Sequence, residues 1–328
     1  MTGLRVAALA GGTGGARFLR GLVAHLAEAR PGSEVTVIGN TADDLMLHGL
    51  HVSPDLDTLM YTLGGGIHEE QGWGRADESF VVAEELADYG VHPQWFALGD
   101  RDIATHVVRT QMLGGYSLTE VTAALSRRWL DGLPVPVRLL PMSDDRVETH
   151  VVVRDPEGAR RAIHFQEWWV RHRAALPAEQ ILLVGIEEAA PAPDVLHALS
   201  AADVILLPPS NPVVSIGPVL SVGGVREAVR EAGAPVVGVS PIVGGRPVRG
   251  MADACLAAIG VQTSAAAVAG LFADLLDGWL VDETDHDAVA DVAALGMRCR
   301  AVPLLMRDVP SAAAIAEAAL ALAIDTDA

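Results

Sequence analysis

A chain of 328 residues, half of them apolar, with 33 glycines and 19 prolines spread along it, suits one large α/β domain or two small ones and excludes disorder. Its net charge of −19 argues against general nucleic-acid binding, and its 23 basic residues are all arginine, which excludes Schiff-base lysine chemistry and a P-loop. Cys255 and Cys299 match no metal-ligand spacing and read as buried thiols of a reducing cytoplasm; the first residues do not form a signal peptide, and no apolar run nears the roughly 20 residues of a membrane span.

The apolar run 6–10 breaks into Gly11-Gly12-Thr13-Gly14-Gly15, and a helical pattern follows with Phe18, Leu19, Leu22, Val23 and Leu26 on one side. A strand, a glycine-rich turn and a helix in that order put backbone N–H groups and the positive end of a helix dipole at the C-terminal edge of a sheet, which suits a phosphate. The dinucleotide fingerprint fits poorly, because Arg17 stands where its third glycine would allow close helix–strand packing.

A second strand, 34–38, ends in Gly39-Asn40-Thr41-Ala42-Asp43-Asp44, at the edge where doubly wound sheets bind ligands. Ser53 reads as an N-cap and Pro54 as the first residue of the next helix. Asp55 and Asp57 would complement that helix dipole, while Asp43 and Asp44 would be loop residues. Four carboxylates so close to a phosphate turn also suit a hard cation such as Mg²⁺, which takes one or two carboxylates plus phosphate oxygens and would offset the negative charge; Asp43 and Asp57 are the candidates.

Gly64-Gly65-Gly66 ends this helix, and the Trp73 loop at 72–79 reads as a binding loop or a surface turn. A helix is expected over 77–89, stopping at Gly90, then a short strand at 95–98 and a helix capped by Asp100 that carries Arg101 in its first turn. Arg101 would meet a substrate in a bidentate way or pair with Asp102. Ser117-Leu118-Thr119-Glu120 is a capping box. A strand at 135–140 precedes a hairpin, 147–154 with 160–165, turning at Asp155-Pro156-Glu157-Gly158; Phe165, Trp168 and Trp169, which close it, would stack on a planar ring or, the favoured reading, belong to the core.

Strands at 181–184, 204–207, 236–239 and 280–281 then alternate with helices, the pattern of a parallel sheet. The loop at 208–218 leaves the end of a strand, and its small donors Ser210, Asn211, Ser215 and the Gly217 N–H suit phosphate or base recognition; the loop at 240–246 is equivalent one strand later. The fold class is α/β, a Rossmann-like and mostly parallel sheet with helices on both faces. One domain over 1–328 carries an inserted hairpin and helical segments at about 64–175. His106, His150 and His164 are candidates for acid–base work but each alone reads as structural, and the constellation favours phosphoryl chemistry by positioning, metal and arginine.

Together the stretches 11–17, 40–44, 54–58, 98–106, 143–150, 165–170, 209–218 and 240–253 resemble the 2-phospho-L-lactate transferase family of coenzyme F420 biosynthesis (CofD/FbiA type), in its actinobacterial branch. Ala42 replaces a glycine of some members. The resemblance implies a cytoplasmic homodimer that uses Mg²⁺ and small-molecule substrates, with neither nucleic acid nor membrane as partner. The ribityl hydroxyl of the deazaflavin Fo would attack the phosphate bearing a three-carbon acid in a guanosine-diphosphate-linked donor, releasing GMP. The transferred group is phosphoenolpyruvyl or 2-phospho-L-lactyl. By the same resemblance Asp57 and Arg101 contact Fo, and Asp43 and Asp57 serve metal binding and hydroxyl activation. Gly12, Thr13, Gly14, Gly15, Asn40, Ser210, Asn211, Ser215 and Gly217 hold the guanosine diphosphate part. The alternative within this fold is a regulatory protein that binds uridine-diphosphate sugars without catalysis.

Overall fold

The computed structural model describes residues 3–155 and 157–324. Seven short strands build the central sheet: β1 (Arg5–Ala10), β2 (Glu34–Gly39), β3 (Val137–Pro141), β4 (Val204–Leu207), β5 (Val236–Val239), β6 (Gly278–Val281) and β7 (Arg298–Ala301). They lie in the order β7-β6-β5-β4-β1-β2-β3, and every pairing is parallel. This is a Rossmann-like sheet, as expected, and its strand order reverses between β1 and β4, which opens a crevice at their carboxyl ends.

Strand side chains alternate between faces, so β1 feeds two cores. Val6, Ala8 and Ala10 pack with Phe18, Leu22 and Leu26 of helix α1 (Gly12–Ala29) and with Ile315 and Leu320 of the helix Val309–Ile324. Ala7 and Leu9 pack on the other face with Val219, Val225, Val268 and Val292. Such all-round burial is why the parallel strands read as continuous apolar runs. β7, Arg-Cys-Arg-Ala at the sheet edge, has no such run, and the sequence pattern did not reveal it.

Helix α2 (Pro54–Leu63) ends at Gly64 as expected. The expected helix over 77–89 is shorter: α3 covers Val81–Asp88, because Asp77 has φ +54° and the Asp100 carboxylate caps at Val81 and Val82. Residues 95–98 form no strand. Helices α4 (Asp100–Met112) and α5 (Leu118–Leu130) follow, and α5 opens on the capping box: Ser117 N–H donates to Glu120 Oε2 at 2.9 Å, and Glu120 N–H donates to Ser117 Oγ at 3.3 Å.

The hairpin pairs Glu148–Arg154 with Arg160–His164; Pro156 of its turn lies outside the described residues. Residues 181–184 belong to Ala178–Val184, an antiparallel third strand of this small sheet rather than a strand of the parallel one. Its half-exposed residues lack the two-sided burial that a central strand requires. The stretch 64–175 is divided by β3. No helix among the described residues is long and apolar enough to cross a membrane.

Candidate functional site

A cavity of about 590 Å³ occupies the crevice where the strand order reverses. Gly11, Gly12, Thr13 and Gly14 line it after β1, Pro209, Ser210, Asn211 and Ser215 after β4, and Ser240 and Pro241 after β5. The glycines are required by contact. A Cβ on Gly14 would strike the Pro209 carbonyl oxygen, one on Gly11 would strike the Asp55 carboxylate, and Gly12 has φ +63°.

Asp55 occupies part of the position foreseen for a phosphate. Gly12 N–H donates to its Oδ1 at 2.9 Å, and Asn40 Nδ2 donates to its Oδ2 at 2.8 Å. Asn40, fully buried, also bonds the Val214 carbonyl and the Ala42 N–H, so its side chain braces the loops behind the wall. Ser210 Oγ bonds both the N–H and the carbonyl of Gly11, and Asn211 Oδ1 caps Val213 and Val214. Gly15 and Gly217 do not reach the cavity surface. Thr13 and Gly14 are therefore the open part of the turn.

Part of the wall is acidic: Asp43, Asp55, Asp57 and Asp102 all line the cavity, with Asp55 directly against the glycine turn, so Asp43 and Asp57 face the same cavity. Burial, reinforced by the charge of Asp55, pushes the Asp43 carboxyl well above the ordinary range, and its buried Oδ1 has no hydrogen-bond partner. Burial likewise raises Asp55 to about 6 against its bonds from Asn40 and Gly12. Asp44, raised by burial, accepts from Ser53 Oγ at 2.6 Å; Ser53 stands at the N-cap of α2 but spends its hydroxyl there instead of on the helix.

Asp57 is held in another way. Both of its oxygens accept from the Arg109 guanidinium, Oδ2 at 3.0 Å from Nη1, and Arg109 is only 2% exposed. His106 lies between two carboxylates, Nδ1 at 3.7 Å from Asp57 and Nε2 at 3.6 Å from Asp102. Tyr61 Oη donates to Asp102 Oδ1 at 2.7 Å. Burial works to raise Asp102, but the His106 contact, Tyr61 and Arg109 outweigh it and hold the carboxyl below its ordinary value. Burial opposes the Arg109 charge, which the Asp57 carboxylate more than restores. The sequence reading missed Arg109, gave Asp102 no role in the site, and weighed His106 for acid–base work but read it as structural. The signal was present: charged or titratable residues at 102, 106 and 109 form one stripe of α4.

Asp57, Asp102 and His106 offer ligand atoms within 4.8 Å of one another and form a possible metal group. Its fit to a hard cation is limited, since Mg²⁺ prefers oxygen ligands and Arg109 already neutralises Asp57. Asp43, with an unpartnered buried oxygen beside Asp55, fits a cation better.

Trp73, Phe80, Trp95, Phe96, Phe165 and Trp169 line the rest of the cavity. Trp168 is core, with Nε1 donating to the Leu176 carbonyl at 2.8 Å, so the aromatic pair divides between core and cavity. Arg101 is exposed on the first turn of α4, between the cavity residues Gly99 and Asp102, and is itself absent from the wall. Asp100 caps α3 instead of its own helix, while Glu78 accepts the N–H groups of Arg101 and Asp102 at 2.8 and 2.9 Å. His150 pairs with Glu148, and His164 Nε2 lies 3.2 Å from the Asp44 carbonyl.

Residues 6–301 match the family described as 2-phospho-L-lactate transferase CofD. The chain belongs to that family. Curated relatives called phosphoenolpyruvate transferase include one from Streptomyces griseus, 64% identical over 98% of both chains, and one from Thermobifida fusca, 63% identical over 98% of both. One from Mycobacterium avium is 53% identical, over 98% of this chain and 99% of its own. Among solved structures, protein BH3568 from Bacillus halodurans shares the fold, with a TM-score of 0.61 at 19% identity over 97% of this chain and 99% of that one.

Proposed function

We propose that this family member transfers a phosphoenolpyruvyl group, or its 2-phospho-L-lactyl analogue, from a guanosine-diphosphate-linked donor to the ribityl hydroxyl of Fo. The product is dehydro coenzyme F420-0, or coenzyme F420-0 with the lactyl donor. The hydroxyl oxygen attacks the phosphorus bearing the three-carbon acid, and the bond from that phosphorus to the GMP oxygen breaks. GMP leaves with the bonding electrons, and the hydroxyl proton passes to a carboxylate of the acidic wall.

One observation carries this reading: a single cavity joins a glycine turn, buried carboxylates and a set of aromatic rings. The rings suit a planar deazaflavin, and the open Thr13–Gly14 part of the turn suits a phosphate. Burial strengthens the affinity of the Asp43 carboxylate for a proton, and its unpartnered Oδ1 is free to accept one, which favours Asp43 as the base. Asp57, fixed by Arg109, would orient the acceptor, and Arg101 would reach it from the exposed first turn of α4. Where Mg²⁺ binds, Asp43 would be its principal ligand, Asp57 would join it only through lone pairs that Arg109 leaves free, and the ion would neutralise charge on the phosphate oxygens. Small-molecule partners, a cytoplasmic setting and a homodimer complete the proposal.

The test is Fo binding by deazaflavin fluorescence, then incubation with Fo, Mg²⁺ and each guanosine-linked donor, read by mass spectrometry. A product carrying phosphoenolpyruvate is expected. A phospholactate product would change the donor and keep the enzyme, whereas neither binding nor turnover of Fo would overturn the proposal.

A further inference from the structure

An anionic donor entering this cavity meets four aspartates on its wall, Asp43, Asp55, Asp57 and Asp102. The arginines among the lining residues are Arg17 and Arg249. They come from distant parts of the chain, Arg17 from α1 one turn beyond Thr13 and Arg249 from beyond the two-residue strand Arg246–Pro247. Both reach the segment 69–72. Arg17 Nη2 donates to the Glu69 carbonyl at 2.7 Å; Arg249 Nη1 donates to the Gln71 carbonyl at 3.0 Å and its Nη2 to the Glu70 carbonyl.

All of these acceptors are neutral. Among the described residues no carboxylate lies within ion-pair distance of either guanidinium, whereas Arg20, on the same helix as Arg17, is paired with Glu69. The segment itself passes tightly between the two sides: Thr13 Oγ1 donates to the Gly72 carbonyl at 2.9 Å, and a Cβ on Gly72 would strike Arg249 and approach Thr13 Cγ2 to 2.7 Å. Burial first, then the nearby charge of Arg249, lower the Arg17 pKa, and the Glu69 carboxylate, which pairs with Arg20, only partly offsets them. A planar guanidinium that bonds a carbonyl keeps further donors and its full charge for a phosphate or carboxylate.

We propose that Arg17 and Arg249 form an anion subsite of this cavity, binding phosphate or carboxylate oxygens of a substrate, while the carbonyls of Glu69, Glu70 and Gln71 hold the two guanidiniums in position. The subsite follows from the geometry of the wall. Only the identity of its occupant, the guanosine-linked donor, rests on the proposed function. Arg17 then has a use at the position where a dinucleotide fingerprint would place glycine.

Calorimetric titration of the full chain with two probes, GDP and phosphoenolpyruvate, tests this. Arg17→Gln and Arg249→Gln are each expected to weaken at least one probe by about tenfold or more. An effect on GDP alone assigns the subsite to the diphosphate, and an effect on phosphoenolpyruvate alone assigns it to the three-carbon acid. Arg20→Ala removes a tether of the same segment from outside the cavity and should change neither probe by more than about twofold. Equal losses in Arg20→Ala and Arg249→Gln would make the effect one of segment anchoring and overturn the subsite, as would wild-type affinity in both glutamine variants or no binding of either probe by the wild type. Arg249→Lys, which retains the charge without the fork, should fall between wild type and Arg249→Gln. Turnover of Fo by the wild type is scored separately. Turnover with unaltered probe affinity in the variants removes the subsite alone, and probe binding lost in the variants without any turnover removes the functional reading alone.

Discussion

Arg109, Arg17 and Arg249 all bear on this cavity, and their surroundings divide them. Arg109 is buried beneath the acidic wall and pairs through Nη1 and Nη2 with both oxygens of Asp57. Arg17 and Arg249 stand on the wall itself and bond only backbone carbonyls. The same side chain thus does two kinds of work. A guanidinium matched by a carboxylate in the interior fixes that carboxylate; one held by neutral oxygens beside a cavity keeps charge in reserve for a ligand.

The largest effect expected from this contrast is on stability. Arg109→Met leaves the Asp57 carboxylate buried without its partner and should cost about 3–5 kcal/mol in chemical denaturation. Adding Asp57→Asn to Arg109→Met should recover much of that loss; a double variant as unstable as the single one would show that Arg109 acts through packing instead. Next in size is Asp43→Asn, which should lower turnover about a hundredfold or more with little change in thermal midpoint. Turnover near wild type would remove Asp43 from the chemistry and leave Asp57 as the better base.

A pH experiment sharpens the comparison within the acidic wall. The Asp55 pKa, raised by burial to about 6, means that the folded state holds its proton more tightly than the unfolded chain. That contribution to stability is complete below the unfolded value near 4 and is lost as pH rises through about 6. The thermal midpoint of wild type should therefore rise relative to that of Asp55→Asn as pH falls from about 6 to about 4, and a pH-independent difference would count against the shift. His51, depressed by burial to about 4, acts in the opposite direction in both proteins and cancels from the difference.

Smaller still is the cost of Glu78→Ala, which uncaps α4 and should destabilise by about 1 kcal/mol. Arg249→Gln should cost no more than that, since its bonds are made at an exposed rim. A loss approaching that of Arg109→Met would place Arg249 among the structural arginines.

Much of this arrangement was legible in the sequence, for physical reasons that also mark the limit. Strands buried on both sides must be apolar throughout, so β1, β2, β4 and β5 announced themselves, and the glycines after β1 marked the crevice. Arg298–Ala301 escaped notice because an edge strand carries no such requirement. Asp43 and Asp57 were visible as acidic residues near a phosphate turn. The chain's linear order gave no indication that Arg109, 52 residues from Asp57, would neutralise it. Nor did it show that Asp55 would take the Gly12 N–H first. Charges at helical spacing on α4 look like a solvated face until a neighbouring element covers them. The aromatic wall was similarly divided, Trp168 going to the core and Trp169 to the cavity, although the two are adjacent in the chain.

The exchanged caps of α3 and α4 carry a mechanical consequence. Glu78 secures the first turn of α4, Asp100 secures the first turn of α3, and Ser79 Oγ donates to Asp100 at 2.6 Å, so the chain from Phe80 to Gly99 is buckled at both ends to one point. That loop supplies Phe80, Trp95 and Phe96 to the cavity, and α4 carries Asp102, His106 and Arg109. The aromatic residues of that loop and the helix that carries the acidic and titratable residues thus share one anchor, the crossed caps of Glu78 and Asp100, so loosening either cap would free both at once.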